Sequence, residues 1–370
     1  MSSQKVLVVG SGVIGLRTSL SLLNAGHKVL LRSATSPLSS KMPSVGAGGL
    51  WLPFHCEDSR VGRWAQRTLD DYMDSHALGC PDVSLVPTVM FKGFTPPTTC
   101  PETGTNTAAS ANYPFWASDP RLKFQSLATE QLRWQNDAVL KMHIPPALLD
   151  SYPHAWTWVT PIIDCPAALS RYLSSIQSHP LCLGVSLSTP FPSVASVQSL
   201  ASSEGCSAVV HCGGYTGGRT LLSDSACRPA RGVLRYYKRP SSFNTCLMVE
   251  EGPLAPDPDK PLYAIPRGGL IALGGSYLLD DEEMTIRPSE NKHLDAAKEL
   301  LLGDGEEWVM ESDWVGLRPH RDGGVKLEIN KELTKIGGGL KWVDNYGHGG
   351  SGWTIAKGCA EDVVDLIEAR

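Results

Sequence analysis

Lys5-Val6-Leu7-Val8-Val9-Gly10-Ser11-Gly12-Val13-Ile14-Gly15 stands close to the first residue of the chain. The unbroken apolar run reads as a strand buried on both faces, and it leads directly into G-x-G-x-x-G. Val13, Leu16, Leu20 and Leu23 then recur at the three- and four-residue spacing of a helix face. Asn24-Ala25-Gly26 supplies a helix stop, and Val29-Leu30-Leu31 reads as the next buried strand. This is a β–α–β unit, the building block of a parallel sheet. Each glycine has its own reason. Gly10 permits the tight turn, Gly12 lets a pyrophosphate approach the backbone, and Gly15 lets helix and strand pack closely. Ser11, Val13 and Ile14 complete the loop, where the helix start offers unpaired N–H groups and a positive dipole end. A tight turn with no ligand is the plainer alternative.

Such a fingerprint ordinarily continues with an acidic residue about 20 positions on, which holds the ribose hydroxyls of a dinucleotide. Here the second strand ends Leu31-Arg32-Ser33-Ala34. Ser33 can replace one of those hydrogen bonds, and Arg32 can lie over an adenine or reach a phosphate. The missing acid weakens an NAD reading more than an FAD reading, because FAD spreads its binding over more contacts.

At the other end of the chain, Gly347-His348-Gly349-Gly350-Ser351-Gly352 precedes a helical pattern marked by Ile355, Cys359, Val363 and Leu366. A second Gly-rich helix start suggests a second anionic or electron-accepting partner, for which the N1/O2 edge of a reduced flavin is a candidate. Ser351 is followed by Gly352-Trp353, so no G-x-S-x-G nucleophile elbow forms. A long glycine turn is the bland reading. Val315-Gly316-Leu317-Arg318-Pro319 sets one arginine in an apolar, turn-like stretch. Its planar fork suits a carboxylate, either from a substrate or from an internal Asp or Glu, and the residues alone leave these readings even.

Between these landmarks the character changes. Residues 80–160 are rich in Pro, Ser and Thr, with Thr95-Pro96-Pro97-Thr98-Thr99 and scattered Trp116, Trp134, Trp156 and Trp158. They read as a separate, loop-rich lobe. The α/β pattern returns at Ala208-Val209-Val210, which runs into His211-Cys212-Gly213-Gly214. Leu262–Ile265 and Leu270–Leu273 form a hairpin pattern around Pro266-Arg267-Gly268-Gly269.

The bulk numbers exclude several classes. The 370 residues are 42% hydrophobic and 19% charged, enough for a large core in two domains or one elaborated one. A formal net charge of −5 leaves no basic footprint for nucleic acid or an anionic membrane. No apolar run is long enough to span a bilayer, and the N-terminus lacks a signal-peptide layout, so the expectation is a soluble intracellular protein. The 10 cysteines contain no CxxC and read as free, mostly buried thiols; the 10 histidines form no HExxH or Cys/His cluster, so no metal is expected.

Taken together, the chain resembles the D-amino-acid oxidase family, most closely its fungal members. The resemblance runs from VVGSGVIGL, Ser39-Ser40-Lys41 and Gly48-Gly49-Leu50-Trp51 through His211–Gly214 and Arg231-Gly232. It continues through Leu262-Tyr263-Ala264-Ile265-Pro266, VGLRP and YGHGGSGWT. It implies an α/β fold: a Rossmann-like FAD-binding domain interleaved with an α+β substrate domain on an antiparallel sheet. The expected boundaries are 1–58, 158–225 and 324–370 for FAD, and 59–157 and 226–323 for substrate. The resemblance puts Arg318 and Tyr263 on the substrate carboxylate, Tyr277 at a second substrate tyrosine, and Gly350 beside the amine. It puts FAD on Gly10–Gly15, Arg32, Ser33, Ser39, Ser40, Lys41, Gly48, Gly49, Leu50, Val194, Gly213, Gly214, Ser351, Gly352, Trp353 and Thr354.

The activity implied by the resemblance is oxidative deamination of D-amino acids. Hydride leaves Cα for flavin N5 without a side-chain base, and O2 reoxidises the flavin to give hydrogen peroxide, a 2-oxo acid and ammonia. The partners implied are a D-amino acid and O2, and a homodimer is compatible with the family. Tyr277 stands where a D-aspartate oxidase tends to carry Arg, which favours neutral substrates, with His55, Arg267 or Arg321 as alternative cations. A glycine or sarcosine oxidase is a more distant relation, and a flavin-binding protein without turnover is the reading from another class. The segment Val249–Lys260 is longer and more acidic than the family's lid. The chain ends Glu368-Ala369-Arg370, without the S-K-L signal that would match the peroxisomal location the family implies.

Overall fold

The computed structural model describes residues 3–53, 56, 58–93, 113–249, 252–255, 257–303 and 308–369. Thr95–Thr99, His55, Cys100 and part of the Val249–Lys260 segment therefore lie outside the described residues. In chain order the strands are β1 (Lys5–Val9), β2 (Lys28–Arg32), β3 (Val83–Lys92), β4 (Gln125–Ala128), β5 (His154–Ile163), β6 (Cys182–Ser186), β7 (Ala208–His211) and β8 (Cys227–Lys238). They continue with β9 (Cys246–Val249), β10 (Leu262–Arg267), β11 (Leu270–Gly274), β12 (Leu278–Leu279), β13 (Met310–Arg321), β14 (Lys326–Ile329) and β15 (Lys341–Tyr346).

They make two sheets. A 6-stranded sheet runs β14-β15-β7-β1-β2-β6, parallel from β15 to β6 with β14 antiparallel at its edge. A 9-stranded sheet runs β12-β8-β11-β10-β9-β3-β5-β4, with β13 also paired to β8. Its ladders are antiparallel except β3 with β9. The expected α/β architecture, with a parallel sheet and an antiparallel sheet, is the one observed.

Alternation along each strand divides the core. Val6 and Val8 of β1 enter one core, with helices Val13–Asn24, Val61–Ala77 and Gly352–Glu368, while Leu7 and Val9 enter a smaller core under helix Val194–Ser203. In the larger sheet, Ile265, Met248 and Leu234 share the first core, whereas Ala264, Leu247 and Leu273 face a third core under helix Pro288–Leu301. One core thus bridges the inward faces of both sheets, and any cleft between them is lined from both.

Two expectations are corrected. Residues 80–160 are not a separate lobe: β3 and β5 lie inside the large sheet, paired along their whole length from Val83↔Ile163 to Lys92↔His154. The Pro and Thr content there concealed strands in which buried positions such as Val89, Met90 and Phe91 carry the packing. The boundary drawn at 157/158 also falls within β5, because pairing to β3 carries that strand to Ile163. Cysteines among the described residues form no disulfide, and Cys165, Cys212, Cys227, Cys246 and Cys359 are buried. No helix of the described residues is long and apolar enough to cross a membrane, and no His/Cys/Asp/Glu cluster among them is suited to a metal.

Candidate active site

A cavity of about 620 Å³ lies between the sheets, within the range for small-molecule and cofactor sites. At one end are Gly10, Ser11, Gly12, Val13 and Ile14; at the other are Tyr263, Tyr277 and Arg318. No Asp or Glu is among the described residues that line it, while Lys41 and Arg318 are. Its field therefore favours an anionic guest.

The glycine loop divides its labour as the motif requires. Gly10 has φ +113°, and a side chain there would overlap the Cys212 carbonyl. A Cβ on Gly15 would overlap the Gly10 carbonyl oxygen, so Gly15 serves close packing and does not line the cavity. Gly12 lines the cavity, where a Cβ would meet only side-chain atoms, Ser44 Oγ at 3.2 Å and Met42 Sδ at 3.8 Å, and helix Val13–Asn24 starts with no side-chain cap from its N-cap residue. A second helix start, Gly352–Glu368, also has no side-chain cap from its N-cap residue. It adjoins the first: a Cβ on Gly352 would stand 3.7 Å from Val13 Cγ1. Two positive dipole ends facing one acid-free cavity fit the pyrophosphate and the electron-rich edge of an FAD.

Residues 40–49 close this part of the cavity, and they are held from outside by side chains of the large sheet and of helix Gly352–Glu368. Arg267 Nη1 donates to the carbonyls of Val45 (2.9 Å) and Ala47, and its guanidinium stacks on Tyr236. Tyr236 donates to the Gly46 carbonyl at 3.0 Å, Trp353 Nε1 to that of Ser44 at 3.1 Å, and Trp314 Nε1 to that of Ser40 at 2.8 Å. The Ser44 hydroxyl in turn accepts from Val13 N at 3.1 Å.

Arg318 lies on β13, a strand of Met310–Arg321 and not the turn its Gly and Pro neighbours suggest; the ladder to β8 runs unshifted from Ser312 and accommodates both. Its guanidinium packs over Gly232, which has no side chain to obstruct it. It donates to the Ser276 carbonyl at 2.8 Å and sits 5.4 Å from the Tyr277 ring centre. Arg228, Arg231, Arg235 and Arg321 nearby each pair with carboxylates, but Arg318 has no ion pair among the described residues. Tyr263 lies on β10, on the same strand face as Ile265, and its hydroxyl packs against Gly274 and Gly275. Burial pushes its hydroxyl above the ordinary tyrosine value while Arg318 pulls it back. Burial likewise pushes Tyr277 up to about 12, again opposed by Arg318. Buried His348, also on the cavity wall, is pushed down to about 3.

Eighteen of the sequence-predicted site residues line the cavity: those named at its two ends, with Ser33, Lys41, Gly48, Gly49, Leu50, Gly213, Gly214, Gly350, Gly352 and Trp353. Others do not. Arg32 turns to the β6 edge and donates to the Gly184 carbonyl at 3.1 Å. Ser39 and Ser40 lie just outside the wall. Val194 begins a helix over the outer face of the parallel sheet and packs into the core there; Phe191 is the residue that reaches the cavity. Ser351 is buried behind the loop, and Thr354 donates to the Leu52 carbonyl at 2.9 Å, a structural clamp. Sequence reasoning missed Met42–Ala47, Tyr236, Met248 and Trp314. Only strand alternation in β8, β9 and β13 pointed to the last three.

The model of the FAD dependent oxidoreductase family matches residues 5–366. The chain belongs to that family. Among curated relatives, the D-amino-acid oxidase of Streptomyces coelicolor is 29% identical, covering 98% of this chain and 96% of the relative. That of Dictyostelium discoideum is 26% identical, covering 98% and 91%. Among solved structures, glycine oxidase from Geobacillus kaustophilus superposes with a TM-score of 0.71 at 18% identity, covering 99% of this chain and 95% of that one. Glycine oxidase from Bacillus cereus superposes with a TM-score of 0.70 at 16% identity and the same coverage. The chain is therefore an FAD-dependent oxidoreductase with the fold of these oxidases.

Proposed function

We propose that this chain oxidises neutral D-amino acids at Cα, with O2 as the final acceptor. The products are an imino acid, which hydrolyses to the 2-oxo acid and ammonia, and hydrogen peroxide. The observation that carries the reading is Arg318, facing an acid-free cavity with no ion pair among the described residues and with Tyr263 and Tyr277 beside it. The curated relatives named D-amino-acid oxidase support the same substrate class. In this reading the parallel sheet carries the FAD-binding domain and the large sheet the substrate domain.

FAD, when bound, supplies the hydride acceptor and passes the electrons to O2. The Arg318 fork binds the substrate carboxylate through two charge-assisted hydrogen bonds, and Tyr263 donates to the same group. With one end fixed, Gly350 leaves room for the amine, and Leu234, Met248 and Leu317 wall off water around the side chain. Both tyrosine hydroxyls are pushed upward, so near neutral pH they are donors and not bases. His348, pushed down to about 3, is a weak base. Positioning accounts for the rate without proton abstraction from Cα by a side chain.

An acidic substrate needs a second cation, and two candidates are committed elsewhere: Arg267 to carbonyls of the loop, Arg321 to Asp224 at 2.9 Å. His55 lies outside the described residues. Burying an unpaired carboxylate costs several kcal/mol, so kcat/KM for D-alanine should exceed that for D-aspartate by about a hundredfold or more. Oxygen consumption by the holoenzyme measures both, with L-alanine inert. A preference for D-aspartate, or turnover of L-alanine, would sink the reading.

A further inference from the structure

Residues 280–287 leave β12 and run to the start of helix Pro288–Leu301. Midway along, Met284 is 48% exposed and lines the cavity. A methionine at the mouth of a site adapts readily to what it touches, but the contact gains little if the backbone must be ordered first. Here the backbone is already held. Arg231, on β8, is fully buried. Its Nε donates to the Glu283 carbonyl and its Nη2 to the Thr285 carbonyl at 2.6 Å, so one guanidinium grips the chain on both sides of Met284. The same fork meets the Glu290 carboxylate, Nη1 on Oε1 and Nη2 on Oε2 at 3.0 Å. Glu290 also accepts from Arg287 N at 2.8 Å, which fixes the far end of the segment to the helix start.

The segment lies at the Arg318 end of the cavity. In the ladder between β8 and β13 Arg231 is opposite Leu317, which lines the cavity, and the neighbouring Gly232 lies under the Arg318 guanidinium. Glu282 accepts from the hydroxyl of Tyr215, another cavity-lining residue, at 2.6 Å. Successive residues of a strand face opposite ways, so Gly232 serves the cavity while Arg231 points to the side of helix Pro288–Leu301. The segment therefore meets Arg231 through its carbonyls and the cavity through Met284. Exposed pairs such as Arg287 with Asp281 add little to its rigidity. The buried pair of Arg231 with Glu290 cannot be opened without leaving a charge unpaired.

We propose that Met284 is a specificity-determining wall of the substrate site, closing over the side chain of the bound D-amino acid, and that Arg231 is the positioning residue behind it. This rests on the reading of Arg318 as the carboxylate contact. With the carboxylate fixed there, a longer apolar side chain meets more of the Met284 thioether. Selectivity for chain length is thus set from the helix side of the sheet, by a residue that does not itself line the cavity.

Straight-chain carboxylates from propionate to hexanoate, the deaminated counterparts of D-alanine to D-norleucine, probe the wall without requiring turnover. Their Kd for the holoenzyme, read from the flavin absorbance, should fall about fourfold per added methylene. In Met284→Ala, with flavin content retained, the preference for hexanoate over propionate should shrink about tenfold. Met284→Leu, of similar volume, should restore most of it. Glu290→Gln takes the anion from Arg231 and leaves Met284 in place. It should shrink the same preference by a similar factor, and the double variant with Met284→Ala should lose no more than either. A purely structural ion pair would lower the thermal midpoint and shift both carboxylates alike. Should Glu290→Gln fail to fold, Glu290→Asp keeps the charge but withdraws it by one methylene, and it should shrink the preference in the same direction. An undiminished preference in Met284→Ala would overturn the assignment of Met284. Glu290 variants that shift both carboxylates equally, or neither, would overturn the role of Arg231. The carboxylate pattern without D-amino acid turnover would support the wall and sink the proposed reaction. Turnover in which kcat/KM for D-norleucine against D-alanine ignores Met284 would do the reverse. No carboxylate binding at all would remove both.

Discussion

At the end of the parallel sheet the chain presents backbone: Gly10, Gly12, Gly213, Gly350 and Gly352 bring N–H groups and two helix starts to the cavity. Across the cavity the large sheet presents side chains instead, with Tyr263 from β10, Arg318 from β13, and Tyr277 between β11 and β12. In the proposed reading the first half holds a large polyanion by many weak, similar contacts, so no single side chain is indispensable there. In the same reading the second orients a small molecule by a few strong contacts, each of which carries a large share. The halves also lean on each other. Arg267 and Tyr236, from the large sheet, hold the loop that closes over the parallel one.

The largest expected effect comes from removing a single side chain in the second half. Arg318→Ala should lower kcat/KM for D-alanine by about three orders of magnitude, the cost of leaving a buried charge without its partner. Flavin content, measured by absorbance, should stay at one per chain. Loss of flavin along with activity would show that the two halves cannot be separated in this way.

Glycine substitutions break the first half differently. Gly15→Ala forces a methyl against the Gly10 carbonyl, and overpacking of this kind costs about 1–3 kcal/mol. It should lower the thermal midpoint of the apoprotein as well as its FAD affinity. Gly12→Ala meets Ser44 Oγ at 3.2 Å and Met42 Sδ at 3.8 Å, side-chain atoms that can shift where the Gly10 carbonyl cannot. It should therefore lower the thermal midpoint less than Gly15→Ala while still losing FAD affinity. Calorimetry of the apoprotein with FAD titration distinguishes them; equal midpoints would contradict the division of roles.

Arg267→Ala sharpens the link between the halves. Leaving the Val45 and Ala47 carbonyls unpaired should raise the FAD Kd by about tenfold, while KM for D-alanine at saturating FAD stays unchanged. A raised KM would place Arg267 at the substrate after all.

The smallest effect at neutral pH concerns stability. Burial holds His211 down to about 4 in the folded chain, against about 6.5 when unfolded. Above pH about 6.5 neither state binds the proton. Between about 6.5 and 4 only the unfolded chain does, so stability falls as pH falls, and it levels off below. His348, pushed down to about 3, adds to the same slope. His211→Gln should reduce the dependence of the urea midpoint on pH across this window; an unchanged slope would mean that His211 is not neutral in the fold.

The first half was largely legible in the sequence because its signals are local. A buried strand, a glycine loop and an amphipathic helix are adjacent in the chain, and backbone geometry alone dictates where glycine must stand. Even the terminal loop Gly347–Gly352 announced a helix start from its own residues. Three residues beside the cavity in sequence do not line it: Arg32 and Thr354 donate to backbone carbonyls and Ser351 is buried, because each finds a nearer partner or packing place.

The second half was legible only through the family resemblance, which led to Arg318, Tyr263 and Tyr277. From its residues alone, Arg318 was equally an internal ion pair. Tertiary structure decided that point by giving carboxylates to Arg228, Arg231, Arg235 and Arg321 and leaving Arg318 without one among the described residues. It likewise made strands of residues 83–92 and 154–163 and brought Arg267 under a loop more than 200 positions away. By itself, then, the sequence determined the β–α–β unit, the phosphate-ready helix starts and the absence of a basic or membrane-spanning surface pattern. These depend on residues within a few positions of one another. Which arginine stays free to meet a ligand depends on contacts between strands far apart in the chain, and only the closed fold decides those.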